Sequence, residues 1–235
     1  MPAIRVEKAL IVGGFAFNLK PVLAVTGLCK DYRFIDINSF PADYSLKDMQ
    51  DKVAREIDCY QPQIVIAYSM GGLLALGALE LSLMKSIPVI LINSSPYFIK
   101  NGIWQGIQPA DFASLMDRLN KGSLHEFMCY LTRLFAYPKL KGKPSDYSSW
   151  WSYVSQEQLS NILDILFHTD LRATAANHKE RIFWLWSKDD NLLKTAPTQG
   201  MEIFQNHLIL NNSSHLLINQ EQLVIAISKV IEGLP

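Results

Sequence analysis

The chain has 235 residues, 49% of them hydrophobic, enough to bury a sizeable core in one α/β domain carrying an insertion. Its 22 Lys and Arg balance 22 Asp and Glu, so net charge gives it no pull toward nucleic acid or an anionic membrane. Three widely spaced cysteines, Cys29, Cys59 and Cys129, with no CxxC pair, argue against a disulfide framework or a zinc site and for a reducing, cytoplasmic compartment.

Taken in chain order, Ala9–Val12 is a short apolar run closed by Gly13-Gly14, a strand followed by a tight loop. Glu7 and Lys8 interrupt the apolar character before it, so no signal peptide is expected. Arg33–Ile37 reads as a second strand. Asp43–Tyr60 is helical, with Leu46, Met49, Val53 and Ile57 on one face. Gln63–Tyr68 is a third strand, Gly71–Leu83 a helix, and Pro88–Asn93 a fourth strand. Strands apolar on both faces, alternating with helices, predict a mostly parallel sheet flanked by helices.

From residue 96 to 178 the strand pattern stops. FASLMDRLN, LHEFMCYLTRLF and LSNILDILF are amphipathic, and the segment reads as a helical cap insertion between core portions 1–95 and 179–235. The core pattern resumes with a strand at Arg181–Trp186, a helix near Thr195–Phe204, a strand at His207–Leu210 and a final helix at Glu221–Ile231. The longest apolar stretch, after Ser69, carries Glu80 and reads as a buried helix, not a membrane span.

The stretch IVIAYSMGGLLAL places Ser69 between a strand and a helix, flanked by Ala67 and Gly71. This is the nucleophile elbow of the α/β-hydrolase fold, a strained turn that holds a hydroxyl clear of the sheet. The plainer reading is a buried turn that happens to contain serine. A serine needs a base and an orienting acid, in the chain order Ser, Asp or Glu, His. Asp190, in SKDDNLL, and His215, in NNSSHLLI, each follow a predicted strand and supply them, with Asp189 the alternative acid. His125, His168, His178 and His207 are read as surface or packed residues. The expected oxyanion donors are the backbone N–H of Met70, after the nucleophile, and that of Phe15, the best candidate in the loop GGFAFN, whose plainer reading is a simple Gly-Gly turn. No histidine or cysteine cluster has ligand spacing and no glycine loop has a phosphate-binding pattern, so neither metal nor cofactor is expected.

Beyond the elbow, the chain resembles the pimeloyl-[acyl-carrier-protein] methyl ester esterases of biotin synthesis. The resemblance runs through GGFAFN, DYSLKDM, AYSMGGLLAL, NSSPYFIKNGIWQGIQPADF (Asn93–Phe112) and LDILFHTDLR (Leu163–Arg172). It implies hydrolysis of the methyl ester of pimeloyl-acyl-carrier protein, with Ser69, Asp190 and His215 catalytic and the acyl chain under the cap. Implied substrate contacts are Phe15, Met70, Phe127, Met128, Cys129, Tyr130, Leu131 and His215. The implied partner is the acidic carrier protein, met by Arg133, Lys139, Lys141 and Lys143, and the protein is expected to be a monomer. Gly13 and Phe15 replace the family's loop histidine and tryptophan, and Glu126 stands where the family tends to have an arginine. A general short-chain carboxylesterase or thioesterase, a menaquinone-pathway lyase, and a non-catalytic binding protein of this fold remain alternatives.

Overall fold

The computed structural model describes residues 6–84, 86–102, 104–193 and 202–234. Six strands form one parallel sheet: β1 (Val6–Val12), β2 (Cys29–Ile35), β3 (Ile64–Tyr68), β4 (Val89–Ile92), β5 (Ile182–Ser187) and β6 (His207–Leu210), in the order β2-β1-β3-β4-β5-β6. The chain leaves β1 toward one edge and returns at β3 to build toward the other. The loops after β1 and β3 therefore face each other at the switch point, where open α/β sheets bind ligands.

β3 and β4 are buried at every residue. Side-chain alternation divides them between two cores. Val65, Ala67, Val89 and Leu91 face one layer, with α1 (Leu46–Tyr60) and α2 (Gly71–Leu81); Ile64, Ile66, Tyr68, Ile90 and Ile92 face the other, with α7 (Gln220–Glu232). α1 starts at a capping box, in which Ser45 Oγ accepts from Asp48 N–H and Asp48 accepts from Ser45 N–H at 3.0 Å. Its buried Met49, Val53 and Ile57 then recur every four residues toward α2.

Between β4 and β5 lie α3 (Pro109–Lys121), α4 (Leu124–Ala136), α5 (Gln156–His168) and the short α6 (Arg172–Asn177), with only isolated bridges such as Tyr97 to Asp170 among the described residues. α4 and α5 each open on a serine capping box, at Ser123 and Ser155.

Two elements differ from expectation. β2 begins at Cys29 and ends at Ile35, while Ile37 lies in a 3-10 turn. β2 is the sheet edge and its middle residues are exposed, so burial patterning gave no signal for its start. Lys20–Leu28 forms a 3-10 helix, with Pro21 in its first turn, that buries Val22, Val25 and Leu28 near α7; its period of three escaped a search for 3.6-residue spacing. The helix expected near Thr195–Phe204 lies mostly outside the described residues, which resume with a 3-10 turn at Glu202–Phe204. No helix among the described residues is long and apolar enough to cross a membrane.

Candidate active site

Ser69 follows β3 with φ 51°, the left-handed region that a side chain enters only where the surroundings enforce it. The enforcement is visible on both sides of the turn. Ser69 N–H donates to the Ile92 carbonyl of β4 at 2.8 Å, and Gly72 N–H turns back to the Ser69 carbonyl at 2.9 Å. Gly71 has no alternative residue: a Cβ there would sit 2.3 Å from the Gly13 carbonyl oxygen and 2.7 Å from that of Val12. Ala67, by contrast, is ordinary strand backbone paired with Val12 and Leu91, and a methyl group is accommodated.

Ser69 Oγ lies 2.9 Å from His215 Nε2, and His215 Nδ1 lies 2.7 Å from Asp190 Oδ2. A proton on Nδ1, donated to Asp190, leaves Nε2 to accept from the serine hydroxyl. Asp190 follows β5, and its second oxygen accepts from Leu192 N–H at 2.8 Å and Leu193 N–H at 3.0 Å. Asp189 points elsewhere, pairing with Lys139 at 3.1 Å. His215 follows β6 and is fully buried. Its own carbonyl accepts from Tyr68 Oη at 2.8 Å and from Asn93 Nδ2 at 3.0 Å. Burial, and then the neighbouring Asp190 charge, hold the Tyr68 phenol well above its usual pKa, so it stays a donor.

Asn93 is the polar residue that sequence reasoning passed over. It is fully buried at φ 45°, donates to Ser187 Oγ, Ser214 O and His215 O, and accepts from Ser187 N–H at 2.7 Å. It ties the ends of β4 and β5 to the histidine loop. The available signal was a single amide closing the wholly apolar run PVILIN.

The loop after β1 passes directly beside Ser69: a Cβ on Gly14 would meet the Tyr68 ring at 2.7 Å and Ser69 Cβ at 3.2 Å. The backbone N–H groups of Phe15 and Met70 take no acceptor among the described residues. Both side chains are buried in the core that also holds Phe127, Met128 and Leu131.

Five consecutive helical residues cannot share one face, and the stretch Phe127–Leu131 divides accordingly. Phe127, Met128 and Leu131 are buried. Cys129 and Tyr130 are half-buried, with Cys129 Sγ 3.6 Å from His125 and the Tyr130 ring under the Arg118 guanidinium at 4.5 Å. The α4 residue that reaches the triad is Phe135, whose ring centroid lies 4.7 Å from that of His215, and whose carbonyl accepts from Leu216 N–H at 2.9 Å. Its place one helical turn after Leu131 was the sequence signal.

Of the four basic residues expected to meet a carrier protein, Arg133, Lys141 and Lys143 are exposed, while Lys139 is half-buried in its ion pair with Asp189. His125, His168, His178 and His207 contact Cys129, Asp164, Glu80 and the Phe204 carbonyl respectively. Among the described residues no three His, Cys, Asp or Glu side chains gather as metal ligands.

No protein-family model matches the chain. It is similar to the pimeloyl-[acyl-carrier protein] methyl ester esterase of Pseudoalteromonas atlantica, with 28% identity over 179 residues covering 74% of this chain and 67% of that one. Its backbone is similar to a hydrolase from Oleispira antarctica, with TM-score 0.78, 15% identity, and 97% and 92% of the two chains covered. It is also similar to an esterase from Exiguobacterium antarcticum, with TM-score 0.76, 18% identity, and 97% and 93% covered. Parallel sheet, elbow and these likenesses together place the chain in the α/β-hydrolase fold.

Proposed function

We propose that the protein is a cytoplasmic serine carboxylesterase that hydrolyses the methyl ester of pimeloyl-acyl-carrier protein in biotin biosynthesis. The observation that carries the esterase reading is the buried Ser69–His215–Asp190 relay, with contacts of 2.9 and 2.7 Å. Ser69 Oγ attacks the ester carbonyl as His215 Nε2 takes its proton. The carbonyl oxygen becomes an oxyanion held by the N–H groups of Phe15 and Met70. As the tetrahedral intermediate collapses, the C–O bond to the methoxy group breaks and His215 returns the proton, releasing methanol. Water, deprotonated by His215, then attacks the acyl-serine and frees the carboxylate and Ser69. Asp190 keeps the imidazole oriented and stabilises its cation throughout.

The substrate assignment rests on the likeness to the Pseudoalteromonas esterase. The buried Phe15, Met70, Phe127, Met128 and Leu131 suit an acyl chain of several methylenes. The second reading, a carboxylesterase for small acyl esters, is favoured by the Lys139–Asp189 pair, which takes one of the four cations away from a carrier protein.

The test is hydrolysis of methyl pimeloyl-acyl-carrier protein by the wild type and by Ser69→Ala, with methanol release measured. Release that depends on Ser69 is expected. Cleavage of p-nitrophenyl butyrate but not of the carrier-bound ester would select the second reading, and undiminished release by Ser69→Ala would remove the relay from the chemistry.

A further inference from the structure

The geometry points to Asn38 as the positioning residue that aims the Phe15 N–H of the 14–17 loop for the oxyanion and keeps the Ala16 N–H occupied. This rests on the esterase reading above. Asn38 sits in the 3-10 turn after β2 and is 1% exposed. Its Nδ2 donates to the Gly14 carbonyl at 3.0 Å and the Phe17 carbonyl at 3.2 Å, and its Oδ1 accepts from Ala16 N–H at 2.7 Å. One carboxamide thus fastens the 14–15, 15–16 and 17–18 peptide units.

The consequence follows from peptide planarity. The Gly14 carbonyl and the Phe15 N–H belong to the same trans peptide, in which C=O and N–H point in opposite directions. Holding the Gly14 oxygen toward Asn38 turns the Phe15 N–H away from it. The next N–H, on Ala16, is consumed by Oδ1, and Ala16 sits at φ 63°. Asn38 therefore occupies the Ala16 donor and turns away from itself the Phe15 donor, which has no acceptor among the described residues, in the loop whose Gly14 abuts Ser69.

The amide orientation is itself determined. Nδ2 also faces Asp36 Oδ1 at 2.8 Å and Ser152 Oγ at 3.2 Å, and exchanging nitrogen for oxygen would set Oδ1 against a carboxylate and two carbonyls. The segment before α5 closes the arrangement from outside: Ser152 N–H donates to the Ala16 carbonyl at 3.0 Å, and Asn18 N–H to the Trp150 carbonyl at 2.9 Å.

The experiment compares wild type with Asn38→Asp, which keeps the shape and the Ala16 contact but cannot donate to Gly14. Kinetics with p-nitrophenyl butyrate are paired with binding of butylboronic acid, whose serine adduct carries an oxygen in the oxyanion position. The expected result is a fall in kcat of about 100-fold with little change in KM, and a comparable loss of boronate affinity. Thermal melting checks the fold, and Asn38→Ser takes the place of Asn38→Asp if the latter does not fold. Wild-type kcat and boronate affinity in a folded variant would overturn the assignment, as would a raised KM with kcat unchanged. A wild type that cleaves no ester yet binds boronate through Ser69 would overturn the esterase reading alone, the boronate comparison still deciding the role of Asn38.

Discussion

Ser69 and Asp190 follow strands buried at all but one position, whereas Phe135, which packs on His215, comes from a helix buried along one face. The strand ends are held on both sides by ladder bonds and by Asn93, so displacing one disturbs its neighbours. Among the described residues, α4 meets the histidine loop through the Phe135 ring on His215 and the Phe135 carbonyl, which accepts from Leu216 N–H. On the esterase reading, the contrast sets bond-making geometry at the strand ends apart from the packing of α4, so mutation should separate the two.

The largest separation is expected beneath the histidine. Asp190→Asn should lower kcat on a small ester about 10⁴-fold, because the imidazole loses its orienting acceptor. Asp189→Asn should leave kcat near wild type, since Asp189 faces Lys139. The opposite ranking, in steady-state assays of the two variants, would move the acid by one residue.

In α4, Phe135→Ala should destabilise the fold by about 3–5 kcal/mol through the cavity it leaves. Urea denaturation measures this, and an unchanged midpoint would show that α4 is not held to the histidine loop by that ring. On the outer surface, Lys141→Glu with Lys143→Glu should slow turnover of carrier-bound ester about tenfold at low salt while sparing a small ester. Equal loss on both substrates would remove these lysines from partner recognition.

The smallest effect concerns the sheet edge. Burial raises the Cys29 thiol from 9.0 to about 11, so the unfolded chain loses this proton before the folded one. Stability should therefore fall as pH rises from about 9 to about 11. Cys29→Ser should flatten that part of the melting-temperature profile; an identical profile would assign the alkaline slope to other groups.

How much of this was legible in the sequence depends on where each residue sits. β3 and β4 announce themselves because two-sided burial leaves no polar position. The meeting of Ser69, Asp190 and His215 was legible because each follows a strand of the sheet, in the chain order Ser, Asp, His of this fold. Asn93 and Asn38 were not. Each bonds mainly to backbone across the fold, Asn93 reaching Ser214 at 121 residues' separation, and such a role imposes no local spacing. Phe135 was passed over because a contiguous stretch, Phe127–Leu131, stood in for the helix face that every fourth residue defines.

Ser69 and His215 are 146 residues apart in the chain, and the histidine follows β6, the strand at the sheet edge opposite β2. On the mechanism proposed above, Ser69 has no base beside it unless the segment after β6 is in place. Ester cleavage would then report, in a single assay, that the two ends of a long stretch of chain have met.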